Sequence, residues 1–122
     1  MLGAFIFKHF SEKFIVSNHL LTFNGTNDKI NILSATDVVN SKYMFSTSSD
    51  SDSSRVAYVS DYAKAKGIYF YGRSEKGKWW LSTTVSSQYY YANCVGYDGS
   101  IGETNKNSDD IGVRPIITIE LK

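Results

Sequence analysis

One cysteine, one proline and two histidines in 122 residues exclude much before any motif is sought. Cys94 has no second thiol to join, so the chain can form no internal disulfide and no thiolate metal cage. Side chains alternate through Tyr91, Ala92, Asn93, Cys94 and Val95, which makes Cys94 a small buried filler. His9 and His19 sit near the N-terminus, far in sequence from Cys94 and from the serine clusters, and no GxSxG, HExxH, P-loop or GxGxxG pattern occurs. The chain is therefore expected to be no enzyme, with no catalytic residue, no metal and no cofactor. Thirteen basic against twelve acidic residues leave a formal charge of +1, too weak a field to draw it to nucleic acid or to an anionic membrane. No apolar stretch approaches the ~18 residues of a membrane span. The apolar start MLGAFIF precedes its first positive charge, Lys8, the reverse of a secretory signal, so no signal peptide is visible.

What is present reads as a single domain over residues 1–122, with 42% hydrophobic and 15% aromatic residues to fill one core. Residues 1–27 read as N-terminal strands or a docking segment: apolar runs at 5–10, 14–16 and 19–23 stop at a polar turn, Asn24-Gly25-Thr26-Asn27-Asp28. Residues 30–33 form a strand that meets Ser34, whose hydroxyl and the acidic Asp37 suit the start of a helix over 35–43. Residues 46–54 hold six serines, one threonine and two aspartates. Such a segment buries no apolar surface and reads as a solvated loop, and Asp50-Ser51-Asp52 lacks the glycine and closing glutamate of a calcium loop. A second helix is expected over 60–67, with Ser60 as cap, Asp61 at the positive end, alanines inside and Gly67 as terminator. A short aromatic strand at 68–71 and a loop at 72–78 with Gly77 at its tip follow.

The last third reads as an antiparallel sheet. WWLSTT and QYYYANCV alternate aromatic and β-branched residues, and Tyr97-Asp98-Gly99 supplies the positive φ of a tight turn. A strand must send Tyr90 to the face opposite Tyr89 and Tyr91, so at least one ring meets solvent. Trp79 and Trp80 divide likewise, one indole in the core and one nearer an edge. Arg114, in an otherwise apolar strand, is expected to be partly buried and to need a carboxylate or carbonyls. Pro115 lacks the ladder donor and should open the final strand, which pairs back toward the N-terminal strands.

In order along the chain, DKINILSATDVV (28–39), RVAYVSDYAKAKG (55–67), WW (79–80), YDGSI (97–101) and GVRP (112–115) resemble an uncharacterised bacterial and phage family with a C-type-lectin-like fold. That family is related to the variable domains of diversity-generating retroelements and to the formylglycine-generating-enzyme fold. The resemblance covers residues 28–122, and where the family writes WWLRSP this chain has WWLSTT. It implies an α+β fold with two short helices packed on small, mostly antiparallel sheets. The lone thiol argues against formylglycine-type oxidase chemistry, and the acidic-Pro-Asn loop of calcium-dependent lectins is absent. By position, the resemblance implies ligand contacts at Thr83, Thr84, Ser86, Gln88, Tyr89, Tyr91, Asn93, Tyr97 and Asp98, with Trp79, Trp80, Asp61, Arg114 and Pro115 structural, and, since both lie in matched motifs, Asp61 as the partner of Arg114. The expected function is a non-catalytic, calcium-free module on a phage particle or bacterial surface, binding a host-surface glycan or protein through tyrosines and hydroxyls. The alternative is a structural virion or assembly protein whose aromatic surface is buried between subunits. In both readings the N-terminal segment is expected to contact other virion or surface subunits, and a homo-oligomer is compatible with either.

Overall fold

β-branched and aromatic residues dominate the regular structure. The computed structural model describes residues 2–6, 21–23, 26–28 and 30–120, and side chains from 31 to 116. Ten short strands occur among them: β1 Leu2–Ile6, β2 Leu21–Phe23, β3 Thr26–Asp28, β4 Ile30–Ile32, β5 Ala57–Tyr58, β6 Lys76–Gly77, β7 Trp79–Thr84, β8 Tyr91–Val95, β9 Ile101–Asn105 and β10 Pro115–Glu120. They make a three-stranded sheet ordered β1-β10-β4, two small hairpins β2-β3 and β5-β6, and a second three-stranded sheet β7-β8-β9, all antiparallel. Pro115 stands at the first position of β10, opposite Ile32, where a missing N–H costs the ladder least. β10 closes the chain on itself, with Ile119 opposite Gly3 and Ile117 opposite Phe5. His9, His19 and the apolar run at 14–16 lie outside the described residues.

The fold is mainly β, which corrects the expectation of an α+β, C-type-lectin-like domain with two helices. The segment 35–43 is two 3-10 turns, Asp37–Val39 and Ser41–Tyr43, split by Asn40 in extended conformation at φ −92° and ψ 117°. Ser34 and Asp37 do cap each other, with Asp37 N–H to Ser34 Oγ at 3.1 Å and Ser34 N–H to Asp37 Oδ2 at 2.9 Å. That local signal cannot extend the helix, because the β-branched pair Val38-Val39 propagates it poorly and the Asn40 side-chain oxygen Oδ1 caps the next turn by accepting from Lys42 N–H. The only α-helical stretch among the described residues is α1, Asp61–Ala65. Ser60 Oγ accepts from Ala63 N–H at 3.2 Å and Gly67 at φ +92° ends the turn. Residues 68–71 form no strand; Tyr71 makes one bridge to Lys76. Gly77 is not a loop tip but lies buried in β6, paired with Ala57.

The core draws on both larger sheets and on the segments joining them: Leu33, Val38, Phe45, Ala57, Trp79, Leu81, Val95 and Ile116 cluster together. Trp79 is fully buried and donates Nε1–H to the Arg55 carbonyl at 2.9 Å, while Trp80 is half-buried. Two arginines are buried, and the guanidinium of one lies against this indole. Arg114 stacks on Trp79 with its Cζ 5.0 Å from the ring and donates to the Arg55 carbonyl at 3.3 Å. Its expected partner Asp61 is instead fully exposed on α1, 3.7 Å from Lys64, so no carboxylate from that turn reaches the core. Arg55, which no sequence reading marked, is entirely inaccessible. It donates Nε–H to Gly99 O at 2.7 Å and its terminal nitrogens to the carbonyls of Val38 at 2.9 Å, Ser46 at 3.2 Å, Ser48 at 2.9 Å and Asp50. The serine-rich loop therefore wraps a cation with its backbone and turns its hydroxyls outward.

Candidate functional site

β7 and β8 end in a solvent-facing hairpin tip. Between them the register shifts, with Trp80 opposite Cys94 but Thr84 opposite Ala92, a bulge that re-aims the strand just before the tip. The connection closes through Gln88 N–H to Val85 O at 3.2 Å and Tyr91 N–H to Gln88 O at 2.9 Å. Tyr89 and Tyr90 thus lie in a turn, not in a strand, and the expectation of opposite faces fails. Their rings lie side by side, centroids 4.0 Å apart, and the Tyr89 hydroxyl donates to that of Tyr90. Both stay in water, 70% and 57% exposed, with Ser86, Ser87 and Gln88 exposed beside them. The hydrogen bond to Tyr90, and then desolvation, hold the Tyr89 phenol above its ordinary value, so it is neutral at physiological pH.

The remaining expected contacts do not gather there. Thr83 Oγ1 accepts from Ala35 N–H at 2.7 Å, a structural tie between β7 and the segment after β4. Thr84 is exposed at the end of β7, next to the tip. Tyr91 and Asn93 are half-buried on β8, Asn93 donating to Gly102 O at 3.3 Å. Tyr97 and Asp98 occupy the turn at the opposite end of β8. That turn is fixed from below, where the Asp52 N–H donates to Asp98 O at 3.1 Å and Ile101 N–H to Ser49 O at 2.9 Å. Gly99 has φ +83°, and a Cβ there would strike the Asp52 backbone, so only glycine fits. Ser100 donates Oγ–H at 2.6 Å and N–H at 3.0 Å to Asp98 Oδ1, and these bonds hold the carboxyl below its ordinary value.

Around Tyr97 the structure places residues that sequence reading assigned elsewhere. Tyr69 meets it edge-on at 6.2 Å, Tyr71 lies 5.4 Å away at 35°, and Lys78 Nζ sits 5.3 Å above its ring. Tyr69 and Tyr71 are 54% and 61% exposed, in a segment that forms no strand. The signal was there in residues 69–71, three aromatics in succession with no room for all on one buried face. Cys94 is buried in the sheet nearby, and desolvation raises its thiol above the ordinary value despite an opposing pull from Lys78. Among the described residues no group of three His, Cys, Asp or Glu side chains could hold a metal ion, and no helix is long and apolar enough to cross a membrane.

A family model described as Domain of unknown function (DUF6273) matches residues 9–121. No curated protein and no solved structure matches the chain.

Proposed function

The chain belongs to the DUF6273 family, and we propose that it is a non-catalytic binding module, displayed on a phage particle or bacterial surface, that contacts a host-surface protein or glycan through the β7–β8 hairpin tip without calcium. The single observation that carries this reading is the Tyr89–Tyr90 pair, stacked at 4.0 Å and left in water. Two large rings already ordered against each other lose little conformational entropy on binding, and the neighbouring Ser86, Ser87 and Gln88 supply adaptable hydrogen bonds. A projecting tip of this kind inserts into a partner rather than enclosing one, which favours a protein over a free sugar.

The test is a whole-cell binding assay that compares the natural protein with Tyr89→Ala/Tyr90→Ala. Central aromatic contacts cost at least ~1–2 kcal/mol each when truncated, so the double variant should lose 10-fold or more in affinity. Its unfolding free energy should stay within ~0.5 kcal/mol of the natural protein's, since both rings are exposed. Undiminished binding by the variant would remove the site. The alternative reading, a structural virion or assembly protein, is favoured by the second exposed aromatic run at residues 69–71, more apolar surface than one ligand needs. An assembled particle in which Tyr89 resists nitration that reaches it in the isolated chain would favour assembly over display.

A further inference from the structure

We propose that the groove between residues 69–71 and the outer face of β8 and β9 is a second binding site, for a neutral saccharide, with Tyr97 as its stacking platform. The groove is a hollow of about 460 Å3 bordered by Tyr71, Lys78, Tyr97, Asp98 and Glu103. It continues into one of about 190 Å3 bordered by Tyr69, Thr104 and Asp110, with Lys78 and Tyr97 shared. Its floor is kept low by sequence, since Cys94 and Gly102 are opposite partners on β8 and β9 and a Cβ built on Gly102 would meet nothing within 4 Å. Its aromatic wall is fixed by backbone. Tyr69 N–H donates to Asp110 O at 3.0 Å and Tyr71 N–H to Lys76 O at 2.8 Å, so the rings stand over the groove without the backbone having to reorganise.

The chemistry of the walls selects the occupant. A purely apolar ligand would strand Lys78, Asp98, Glu103 and Asp110 without water or partners, at a cost for each buried charge. A ligand cation over Tyr97 would be repelled by the Lys78 ammonium, which lies 5.3 Å from the centre of that ring, whereas a neutral ligand would not. A strongly anionic ligand would face three carboxylates across one lysine. A neutral sugar meets none of these objections. Its C–H face lies flat on a tyrosine ring, and its hydroxyls both donate to carboxylates and accept from the ammonium. Asp98 can accept from a sugar hydroxyl, since Ser100 donates only to its Oδ1 and the residue is exposed.

The test is an amide-resonance titration of the natural chain with neutral trisaccharides built from glucose, mannose, galactose or N-acetylglucosamine. At least one should give saturable shifts at Gly96, Tyr97 and Gly102, with weak affinity in the ~mM range expected of a shallow open site. Tyr97→Ala and Gly102→Phe, which removes the platform and fills the floor respectively, should each weaken binding ~10-fold or more. Tyr71→Ala, on an exposed ring that the fold does not need, serves as a further variant should Gly102→Phe fail to fold. Tyr89→Ala/Tyr90→Ala should bind the sugar unchanged, because the hairpin tip lies at the other end of β8. Absence of shifts with every neutral sugar overturns the site, as does response to acidic sugars alone or full binding by folded Gly102→Phe or Tyr71→Ala. None of those outcomes bears on the hairpin tip, whose own variant fails or succeeds separately.

Discussion

Arg55 organises more backbone than any other described side chain, though a lone arginine before Val56-Ala57-Tyr58 gives no sign of it. Its guanidinium takes carbonyls from Val38, Ser46, Ser48, Asp50 and Gly99, and its own carbonyl receives Trp79 and Arg114. A lysine could not span these acceptors, because three donors on one nitrogen cannot reproduce a planar fork. Truncation leaves several buried acceptors unpaired, each worth about 1–3 kcal/mol of desolvation. Arg55→Ala is therefore expected to lose roughly 3–5 kcal/mol of unfolding free energy in a urea titration, with Arg55→Lys recovering only part. A loss below about 1 kcal/mol would mean that water replaces the side chain and that the loop does not depend on it. The second arginine was legible in part. Arg114 stood out as a cation in an apolar strand, and burial does push its pKa down to about 10, leaving it charged at neutral pH. Its named partner was not legible, because pairing Asp61 with Arg114 required the tertiary position of a one-turn helix.

At the scale of elements, the serine-rich loop is the clearest divergence between local pattern and fold. Composition predicts a solvated segment, and its side chains are indeed mostly exposed, yet its backbone is spent on Arg55 and on the Asp98–Gly99 turn. Asp52 is the hinge of that arrangement, accepting from Ser46 N–H at 2.8 Å and Ser54 N–H at 3.0 Å, and standing 3.6 Å from the Arg55 guanidinium. Desolvation alone would raise its pKa, but the hydrogen bonds from Ser46 and Ser54, together with Arg55, outweigh it and leave the value below 3.8. A carboxyl depressed in the folded state stabilises above its unfolded value and loses that contribution as pH falls through the folded one. The natural protein should then be more stable than Asp52→Asn at about pH 6, with the gap closing in melts taken below about pH 4. Equal stability of the two at about pH 6 would show that the carboxylate does not hold the loop. Helix signals fared unevenly for a related reason. Caps at Ser34 and Ser60 were legible because a cap is a local hydrogen bond, whereas helix length is decided by the face a helix can bury, and neither segment has one of sufficient extent.

For the whole molecule, β10 is the member that joins the two ends of the chain, lying between β1 and β4. Leu2–Ile6 is committed to this pairing, so its backbone on that side is not free to reach a neighbouring subunit. Deleting residues 1–6 would bare one edge of β10 along its length, the kind of unpaired apolar edge that templates aggregation. The shortened chain should lose its cooperative thermal transition and elute as higher-order species in size-exclusion chromatography. A monomer with an unchanged melting temperature would show that the second sheet and the Arg55 network suffice alone. The candidate surface was legible to the same degree as the fold. Tyrosine and hydroxyl density marked the region after Trp80, but Tyr89 and Tyr90 meet in a turn and Tyr97 meets Tyr69 and Tyr71 only because the chain brings distant segments to one face.

By itself the amino-acid sequence determined that the chain forms no internal disulfide, that only one of Trp79 and Trp80 lies deep in the core and that Pro115 stands at a strand entrance, since these follow from side-chain count, alternation and a missing N–H. Only the tertiary structure decided which carbonyls Arg55 would collect, which tyrosines would stand together and whether helices would lengthen. Each of those depends on groups far apart in the chain competing for the same buried acceptor or the same apolar face, and no local pattern records the outcome of that competition.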